Sequence, residues 1–476
     1  MKGFSYIYIV LLLTFTSCLH DKYEPQISDS GYPSDVEQIV LTRCAGSGCH
    51  NTQDKAIAGG LDMSTWDHLF EGSIKGTVVV PFADKFSSLL YVTNTDTMEG
   101  VVGLPAMPYE LSPLSRNEYL VLRDWIISGA ANIKGDVKYA ENASRKKIYI
   151  SNTGCDVVTV LNAADKKIMR YVDVGNNAII NEGPTIVEVT PDNSKWAVIF
   201  SNTNIIQIYD AGSDDLISTV TLPAGVWTDM VLSGDSKKAY LCDNSNGIIV
   251  FVDIESGQLL TSYNYGVSLG GLALNSNEDT LMVTCPSLGY FYKVSVTNPA
   301  NYDIVDLSSS GSVTNPTQIV FTPDYEHYLI LCNHYADQEI RVYNAITDRY
   351  EESIHLYAAT SRMAVASNSN LLFVTCENDN FFPGVEGSVR VIDLSDYHEV
   401  IKIKAGWQPY GIKVDENEGL VYVTNRNHSG TIYPPYYSAV CAGQNGKLSI
   451  INLNTYQLLP VNTELSVDPS GIGIRY

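Results

Sequence analysis

The stretch Val421-Tyr422-Val423-Thr424-Asn425 decides the fold, because six shorter or longer versions of it occur earlier in the chain. Each version is a short run of apolar and β-branched residues that ends in small polar residues. The six others are residues 148–152, 198–202, 240–243, 282–285, 329–333 and 373–376. They return about every 40 to 50 residues, which is the period of a four-stranded blade in a β-propeller. The stretch therefore predicts the second strand of each of seven blades.

The innermost strand of each blade should precede its second strand. Candidates begin at six positions, namely Pro184, Trp227, Gly270, Pro316, Ser361 and Pro409. The first blade lacks one, and the segment Pro469-Ser470-Gly471-Ile472-Gly473-Ile474 can supply it. Closing the ring in this way removes exposed strand edges. We expect a mainly β fold, with a seven-bladed propeller over residues 140–476.

The residues Tyr422-Val423-Thr424-Asn425 read as the signature of the YVTN-type seven-bladed propellers of secreted and surface proteins. The resemblance covers about 330 residues and implies the fold. It implies no particular activity, because this family has no single one.

A second motif, Cys44-Ala45-Gly46-Ser47-Gly48-Cys49-His50, lies before the repeats. Two thiols followed by an imidazole are what covalent attachment of a c-type haem requires, although the usual spacing is C-x-x-C-H. Here four residues separate the cysteines. A capping box starting at Ser34 predicts a helix before the motif, and a second one starting at Ser115 predicts a helix that Gly129 closes.

Between these two helices lies Met107, flanked by prolines in Leu104-Pro105-Ala106-Met107-Pro108. The order of helix, motif, methionine loop and helix resembles a small all-α cytochrome c domain over residues 35–134. The resemblance implies one covalent haem c on Cys44 and Cys49, with His50 as the proximal and Met107 as the distal iron ligand. Met63 and Met98 are weaker distal candidates. The alternative is a Cys44–Cys49 disulfide that staples a loop.

The N-terminus carries one early cation, Lys2, and an apolar run over residues 4–16 that is too short to span a bilayer. The run ends in Thr16-Ser17-Cys18, which resembles the lipobox of bacterial lipoproteins. The resemblance implies a signal peptide at 1–17, lipidation of Cys18 and a tether at 18–34. The alternatives are an ordinary secretory cleavage near the same place or an uncleaved anchor. It also implies a place in the bacterial cell envelope, anchored to the outer membrane and facing the periplasm or the surface.

Charge and motif content exclude several function classes. The chain has 53 acidic and 30 basic residues and a formal net charge of −23, which disfavours binding to nucleic acid. No catalytic set stands out, so a hydrolase or lyase is the weakest reading. The propeller histidines do not suggest a metal cluster; they are His327, His334, His355, His398 and His428. Cys242, Cys285, Cys332 and Cys376 recur at nearly the same place in four successive blades and should be packed thiols.

Two cysteines remain, Cys155 and Cys441, in the loops after the second strands of blades one and seven. Ring closure makes these blades neighbours, so we expect a Cys155–Cys441 disulfide in an oxidising compartment. Two long loops, 378–386 and 427–446, lie on the same face. The second contains the Tyr-rich stretch Tyr433-Pro434-Pro435-Tyr436-Tyr437, which is either a binding surface or a lid, or packs against the helical domain.

The leading hypothesis is an exported, lipid-anchored redox protein, whose mono-haem domain transfers electrons while the propeller binds a redox partner or substrate. The rival is a surface protein without a cofactor, in which Cys44 and Cys49 form a disulfide and the propeller recognises a glycan or a protein.

Overall fold

The computed structural model describes residues 29–140, 142–307, 315–333, 338–382, 387–427, 440–461 and 463–476. The predicted signal peptide and Cys18 lie outside these ranges, as do His334, His428 and the Tyr-rich stretch 433–437. A helical N-terminal unit, built from residues 30–138, precedes a ring of β-sheets.

The N-terminal unit contains short helices joined by long irregular segments. Its α-helices are α1 (Ser34–Arg43), α2 (Trp66–Glu71), α3 (Ser88–Thr93) and α4 (Arg116–Ile127), with 3-10 turns at Asp84–Phe86 and Thr97–Glu99. Their buried faces meet in one apolar cluster that includes Val40, Leu69, Leu122 and Ile126. Tyr32 joins this cluster fully buried, with its ring edge-on to Trp125, so the chain is already packed within the segment expected to be a tether.

The two predicted capping boxes differ in outcome. At α4 the box is present: the Ser115 hydroxyl accepts from the Glu118 N–H, and the Glu118 carboxylate accepts from the Ser115 N–H. At α1 the prediction was wrong, because Pro33 is the N-cap and Ser34 is already helical. The carboxylate of Glu37 accepts instead from the hydroxyl of Ser30, 2.7 Å away.

The rest of the chain forms seven four-stranded antiparallel sheets, each a blade. Blades one to four, from the innermost strand outward, are β28 (Pro469–Arg475), β1 (Lys147–Asn152), β2 (Val157–Asn162) and β3 (Ile168–Asp173); β4 (Pro184–Val189), β5 (Lys195–Phe200), β6 (Ile205–Asp210) and β7 (Leu216–Thr221); β8 (Trp227–Leu232), β9 (Lys238–Asp243), β10 (Ile248–Asp253) and β11 (Gln258–Asn264); and β12 (Leu272–Leu274), β13 (Thr280–Thr284), β14 (Tyr290–Ser295) and β15 (Tyr302–Asp306).

Blades five to seven follow the same order. They are β16 (Pro316–Phe321), β17 (His327–Cys332), β18 (Glu339–Asn344) and β19 (Tyr350–His355); β20 (Ala359–Ala366), β21 (Leu371–Asn378), β22 (Gly387–Asp393) and β23 (Glu399–Gly406); and β24 (Pro409–Asp415), β25 (Leu420–Asn425), β26 (Asn445–Asn452) and β27 (Thr463–Val467).

The mainly β, seven-bladed propeller is therefore confirmed, and so is its closure. Strand β28 pairs with β1, so that Ile474 lies opposite Ile148 and Ile472 opposite Ile150. The hydroxyl of Ser470 lies 3.0 Å from that of Ser151, which joins the two ends of the ring near its axis.

The second strands form the dry interior of the ring. Every residue of β1 and of β25 is buried, as the apolar runs of the repeat predict for strands covered on both faces. The four repeated cysteines are buried there as free thiols. Burial raises the pKa of Cys285, Cys332 and Cys376 to about 12, so these thiols stay protonated.

The N-terminal unit packs on the outer strands of blades one and seven. The ring of Phe86 stacks on that of Tyr171 in β3, with centroids 4.1 Å apart. The N–H of Ile168 in β3 donates to the Thr77 hydroxyl over 2.9 Å, and the N–H of Glu464 in β27 donates to the carbonyl of Lys75 over 3.3 Å. The unit thus covers the two blades between which the ring closes.

Candidate functional site

The segment from Cys44 to His50 folds into a compact turn. The N–H of Cys49 donates to the carbonyl of Gly46 over 3.1 Å, and the N–H of His50 donates to the carbonyl of Cys44 over 3.1 Å. Gly48 has a φ of 78°, a left-handed conformation that glycine adopts without strain. The turn takes up the additional residues of the widened spacing, and the backbone hydrogen bond keeps His50 beside Cys44.

The Asp54 carboxylate holds this turn from outside. It accepts the N–H of Gly48 over 2.7 Å and the side-chain amide of Asn51 over 2.9 Å. The hydrogen bond from Asn51, and then that from Gly48, hold the pKa of Asp54 below its usual value. The loop is therefore fixed by its own polar residues.

A cavity of about 460 Å³ opens beside the turn, and Cys44, Cys49, His50 and Met107 all line it. Its volume is within the range of small-molecule and cofactor sites. The rest of its wall is mostly apolar and includes Leu61, Met63, Val78, Leu89 and Val92. The structure thus brings together the four residues predicted to attach and ligate a haem, although they are 63 positions apart at most.

Neither thiol is part of a disulfide in this structure. Cys44 is buried, and burial raises the pKa of its thiol to about 12, so it stays protonated near neutral pH. Cys49 is half-buried at the edge of the cavity.

Burial also lowers the pKa of His50, while the carbonyls of Ala58 and Leu61 oppose that change. The ring is therefore neutral at neutral pH, and a neutral imidazole is the form that binds metals. Its Nδ1 is buried, yet no partner stands in hydrogen-bonding geometry to it. A buried nitrogen without a partner is costly unless a ligand or a second group completes it.

The three candidate methionines differ in position. Met98 is 84 % exposed and lies outside the cavity wall. Met63 is buried in the wall next to His50, because its N–H donates to the His50 carbonyl over 2.7 Å. Met107 is half-buried in the same wall, and its N–H donates to the carbonyl of Val92 in α3 over 2.7 Å. Its proline-flanked sequence still favours Met107 over Met63 as the distal candidate.

Arg43 fixes the segment after Met107 to the first helix. Its guanidinium donates to the carbonyls of Ser112 and Pro113 over 2.6 and 2.9 Å, and it lies 3.5 Å from the carboxylate of Glu118 in α4. This bridge holds the methionine loop near α1, which carries Cys44 at its C-terminal end.

Apolar side chains surround the mouth of the cavity. Ile57 is 81 % exposed, and Ile74 and Tyr109 are each 62 % exposed, although all three line the cavity. Large apolar groups that gather around one opening mark a binding site or an interface. A planar apolar group seated in the cavity would cover part of this surface.

These residues fit a covalent haem. Two free thiols, a neutral imidazole with an unpartnered buried nitrogen and a thioether share one apolar cavity of suitable size. Among the residues that the structure describes, no group of three or more His, Cys, Asp or Glu side chains could hold a metal ion. The iron would instead depend on His50 and Met107, as the sequence predicts.

A lysine that the sequence analysis did not select lies at the base of the cavity. Lys75 lines both this cavity and a smaller one, about 70 Å³, that continues toward Glu464 and Tyr171 of the propeller. Burial lowers the pKa of Lys75 to about 8, an effect that the charge of Glu464 opposes. Nothing in the local sequence signals this position, because it depends on the packing between the two units.

On the propeller, the structure pairs Cys155 with Cys441 across the seam between blades one and seven, with Cα atoms 5.6 Å apart. The pair packs with Val157 and Val467, near Phe86 of the N-terminal unit. The described histidines stand singly beside acids, as His327 does beside Glu351.

Comparisons with known proteins concern the fold alone. No protein-family model matches the chain, and no curated protein matches it. Among solved structures, the chain is similar to a functionally unknown protein from Desulfotomaculum acetoxidans DSM 771, with 11 % identity, a TM-score of 0.51, and coverage of 70 % of this chain and 99 % of that one. It is also similar to hydrazine synthase from Kuenenia stuttgartiensis, with 14 % identity, a TM-score of 0.49, and coverage of 59 % and 81 %.

Proposed function

We propose that this chain is an exported, lipid-anchored redox protein. Its N-terminal unit would carry one covalent haem c and transfer electrons, and its propeller would bind the redox partner or substrate. One observation carries the proposal: Cys44, Cys49, His50 and Met107 line a single apolar cavity of about 460 Å³.

Each residue has a separate role in this proposal. The thiols of Cys44 and Cys49 would anchor the haem, and His50 and Met107 would be the two iron ligands. A haem with both axial positions filled supplies one-electron transfer rather than oxygen chemistry. The apolar wall excludes water, and the neutral state of His50 leaves a nitrogen ready to ligate.

Export and lipid anchoring are proposed from the Thr16-Ser17-Cys18 sequence. A covalent c-type haem belongs in the same compartment, outside the cytoplasm. In the described ranges, no helix is long and apolar enough to cross a membrane. A lipid on Cys18 would provide the attachment.

The test is expression of the full chain in a bacterial host with haem-attachment machinery. We expect sharp c-type absorption bands on reduction, and haem that stays with the polypeptide after denaturation. The variants Cys49→Ala and His50→Ala should lose the attached haem.

The matched control is His398→Ala, which removes an exposed histidine from the propeller; the side chain is 84 % exposed. This variant should keep the spectrum unchanged. A colourless wild-type protein, with Cys44 and Cys49 joined in the peptide map, would refute the haem proposal and favour the cofactor-free binding protein.

A further inference from the structure

The innermost strands surround an axial channel, and one arginine divides it. Arg362 in β20 lines a cavity of about 250 Å³ on the side where the second strands end, and also a cavity of about 310 Å³ below it. Protein surrounds its guanidinium, yet water reaches the side chain through the channel.

Arg362 is an exception within the repeat. Pairing with the second strands puts six residues at the corresponding position of the other innermost strands, namely Ile186, Asp229, Gly271, Gln318, Gly411 and Gly471. None of the six is a cation, and three are glycines. A large cation at the crowded axis is therefore not explained by packing alone.

The charge of Arg362 is not used by an ion pair. Among the described residues, no carboxylate forms an ion pair with its guanidinium; the side chain of Tyr410 acts on it most strongly, and Asp229 acts on it from a longer distance. The ring of Tyr410 lies 5.6 Å from it. Arg426, 4.4 Å from the same ring, differs, because its Nη2 donates to Asp468 over 2.9 Å.

The lower cavity has its own charge balance. Lys413 donates to Glu188 across the channel over 2.8 Å. Asp229 lies on the same wall, and its carboxylate already accepts the N–H groups of Leu272 and Met230 over 2.8 and 3.0 Å. The guanidinium is thus available to an anion that enters from the upper side.

The wall of the upper cavity is almost entirely polar and neutral. It consists of hydroxyl and amide side chains, among them Thr228, Asn244, Asn333, Thr360 and Ser361. Such groups donate and accept, and so they match hydroxyl groups. The one carboxylate in this wall, Glu377, accepts from the Ser361 hydroxyl over 2.6 Å and keeps further acceptor capacity.

We propose that the upper axial cavity binds a small hydroxylated carboxylate of the sugar-acid class. The guanidinium of Arg362 would form two hydrogen bonds with the carboxylate of the ligand. The hydroxyl and amide side chains of the wall would bind the hydroxyl groups of the ligand. The cavity is below the size of drug-like sites, which matches a ligand the size of a monosaccharide. A phosphate dianion fits less well, because a single unpaired cation faces a neutral wall and a carboxylate.

This inference deepens the propeller half of the proposed function and does not depend on the haem. The experiment is isothermal titration of the full chain with galacturonate, glucuronate and gluconate, and with galactose as the analogue that lacks the carboxylate. Absorbance of the same samples reports haem separately, so failure of one proposal is distinguishable from failure of the other.

We expect saturable binding of at least one acid, and roughly tenfold or greater weakening in Arg362→Gln, because a charge-assisted hydrogen bond is lost. The affinity of Arg362→Lys for the acid should lie between those of the wild type and Arg362→Gln. The matched control, Arg349→Gln, removes the same charge at an exposed turn and should bind like the wild type. The proposal is overturned if no acid binds, if galactose or inorganic phosphate binds as tightly as the acids, or if a folded Arg362→Gln variant binds equally well.

Discussion

Deleting residues 469–476 should prevent the propeller from forming, although it removes only one strand. The deletion takes β28 from blade one and leaves an open edge along β1, where Ile148 and Ile150 lose their partners. The deletion also removes Arg475, whose guanidinium donates to the carbonyls of Asn193 and Arg145 and so holds β28 to its surroundings.

The expected magnitude follows from two buried side chains. Ile472 and Ile474 are 5 % and 6 % exposed. Truncating a buried isoleucine to alanine costs about 2–5 kcal/mol, so the two together contribute about 4–10 kcal/mol. The free energy of unfolding of a whole domain is about 5–15 kcal/mol. The loss of the two isoleucines therefore removes most or all of the stability of the propeller.

The assay is urea denaturation followed by far-ultraviolet circular dichroism, together with size-exclusion chromatography. The single variant Ile474→Ala should lower the free energy of unfolding by about 2–5 kcal/mol. Its control, Ile304→Ala on outer strand β15, removes a side chain that is 55 % exposed and should change it by about 0.5 kcal/mol or less. A soluble, monomeric deletion variant with an unchanged transition would show that β28 does not close the ring.

Four further outcomes are expected. Met107→Ala should keep covalent haem, lower the reduction potential and admit carbon monoxide to the iron, since thioether sulfur stabilises the ferrous state; an unchanged potential would point to another distal ligand. Non-reducing peptide mapping should recover the peptides of Cys155 and Cys441 linked, with a loss of roughly 2–4 kcal/mol on removing the bond; two alkylatable thiols would contradict this. Asp214→Ala should destabilise the protein by about 3–5 kcal/mol, because the buried ammonium of Lys147, 2.7 Å from the Asp214 carboxylate, would lose its counter-charge; a double variant that also replaces Lys147 with methionine should recover part of the loss. Cys18→Ser should release the protein from the membrane fraction and abolish labelling by palmitate; continued labelling would argue against the lipobox.

The sequence predicts the propeller well because the repeat samples the same local pattern seven times. All seven second strands overlap the predicted runs. The innermost strands of blades two, three, five and seven begin at the predicted residue, β20 contains Ser361, and β12 begins at Leu272, two residues after Gly270. Closure by β28 could be deduced because the sequence has seven second strands but only six innermost strands before them, so blade one lacked its innermost strand. Sheets avoid open edges, and the C-terminal segment was the strand left to fill this place.

Features that depend on contacts between distant segments could not be predicted in the same way. Pro33 replaced Ser34 as the cap of α1, which a four-residue pattern cannot decide when both positions are suitable. The packing of Lys75 near Glu464 joins residues almost 400 positions apart, and no local motif encodes it. Arg362 could have been found by aligning the innermost strands, where it is the one cation at its position.

Ring closure by the last strand sets the order in which the protein can be made. As the chain emerges, the N-terminal unit is complete long before β28 exists, and the surface on which it packs, along β3 and β27, is still unfinished. Domains tend to fold as units in the order of synthesis. The helical unit is therefore made before the surface on which it packs, and the proposed attachment of haem at Cys44 and Cys49 would take place while the ring is still open. Completion of the propeller then buries the junction, which makes the closing strand the final step of assembly.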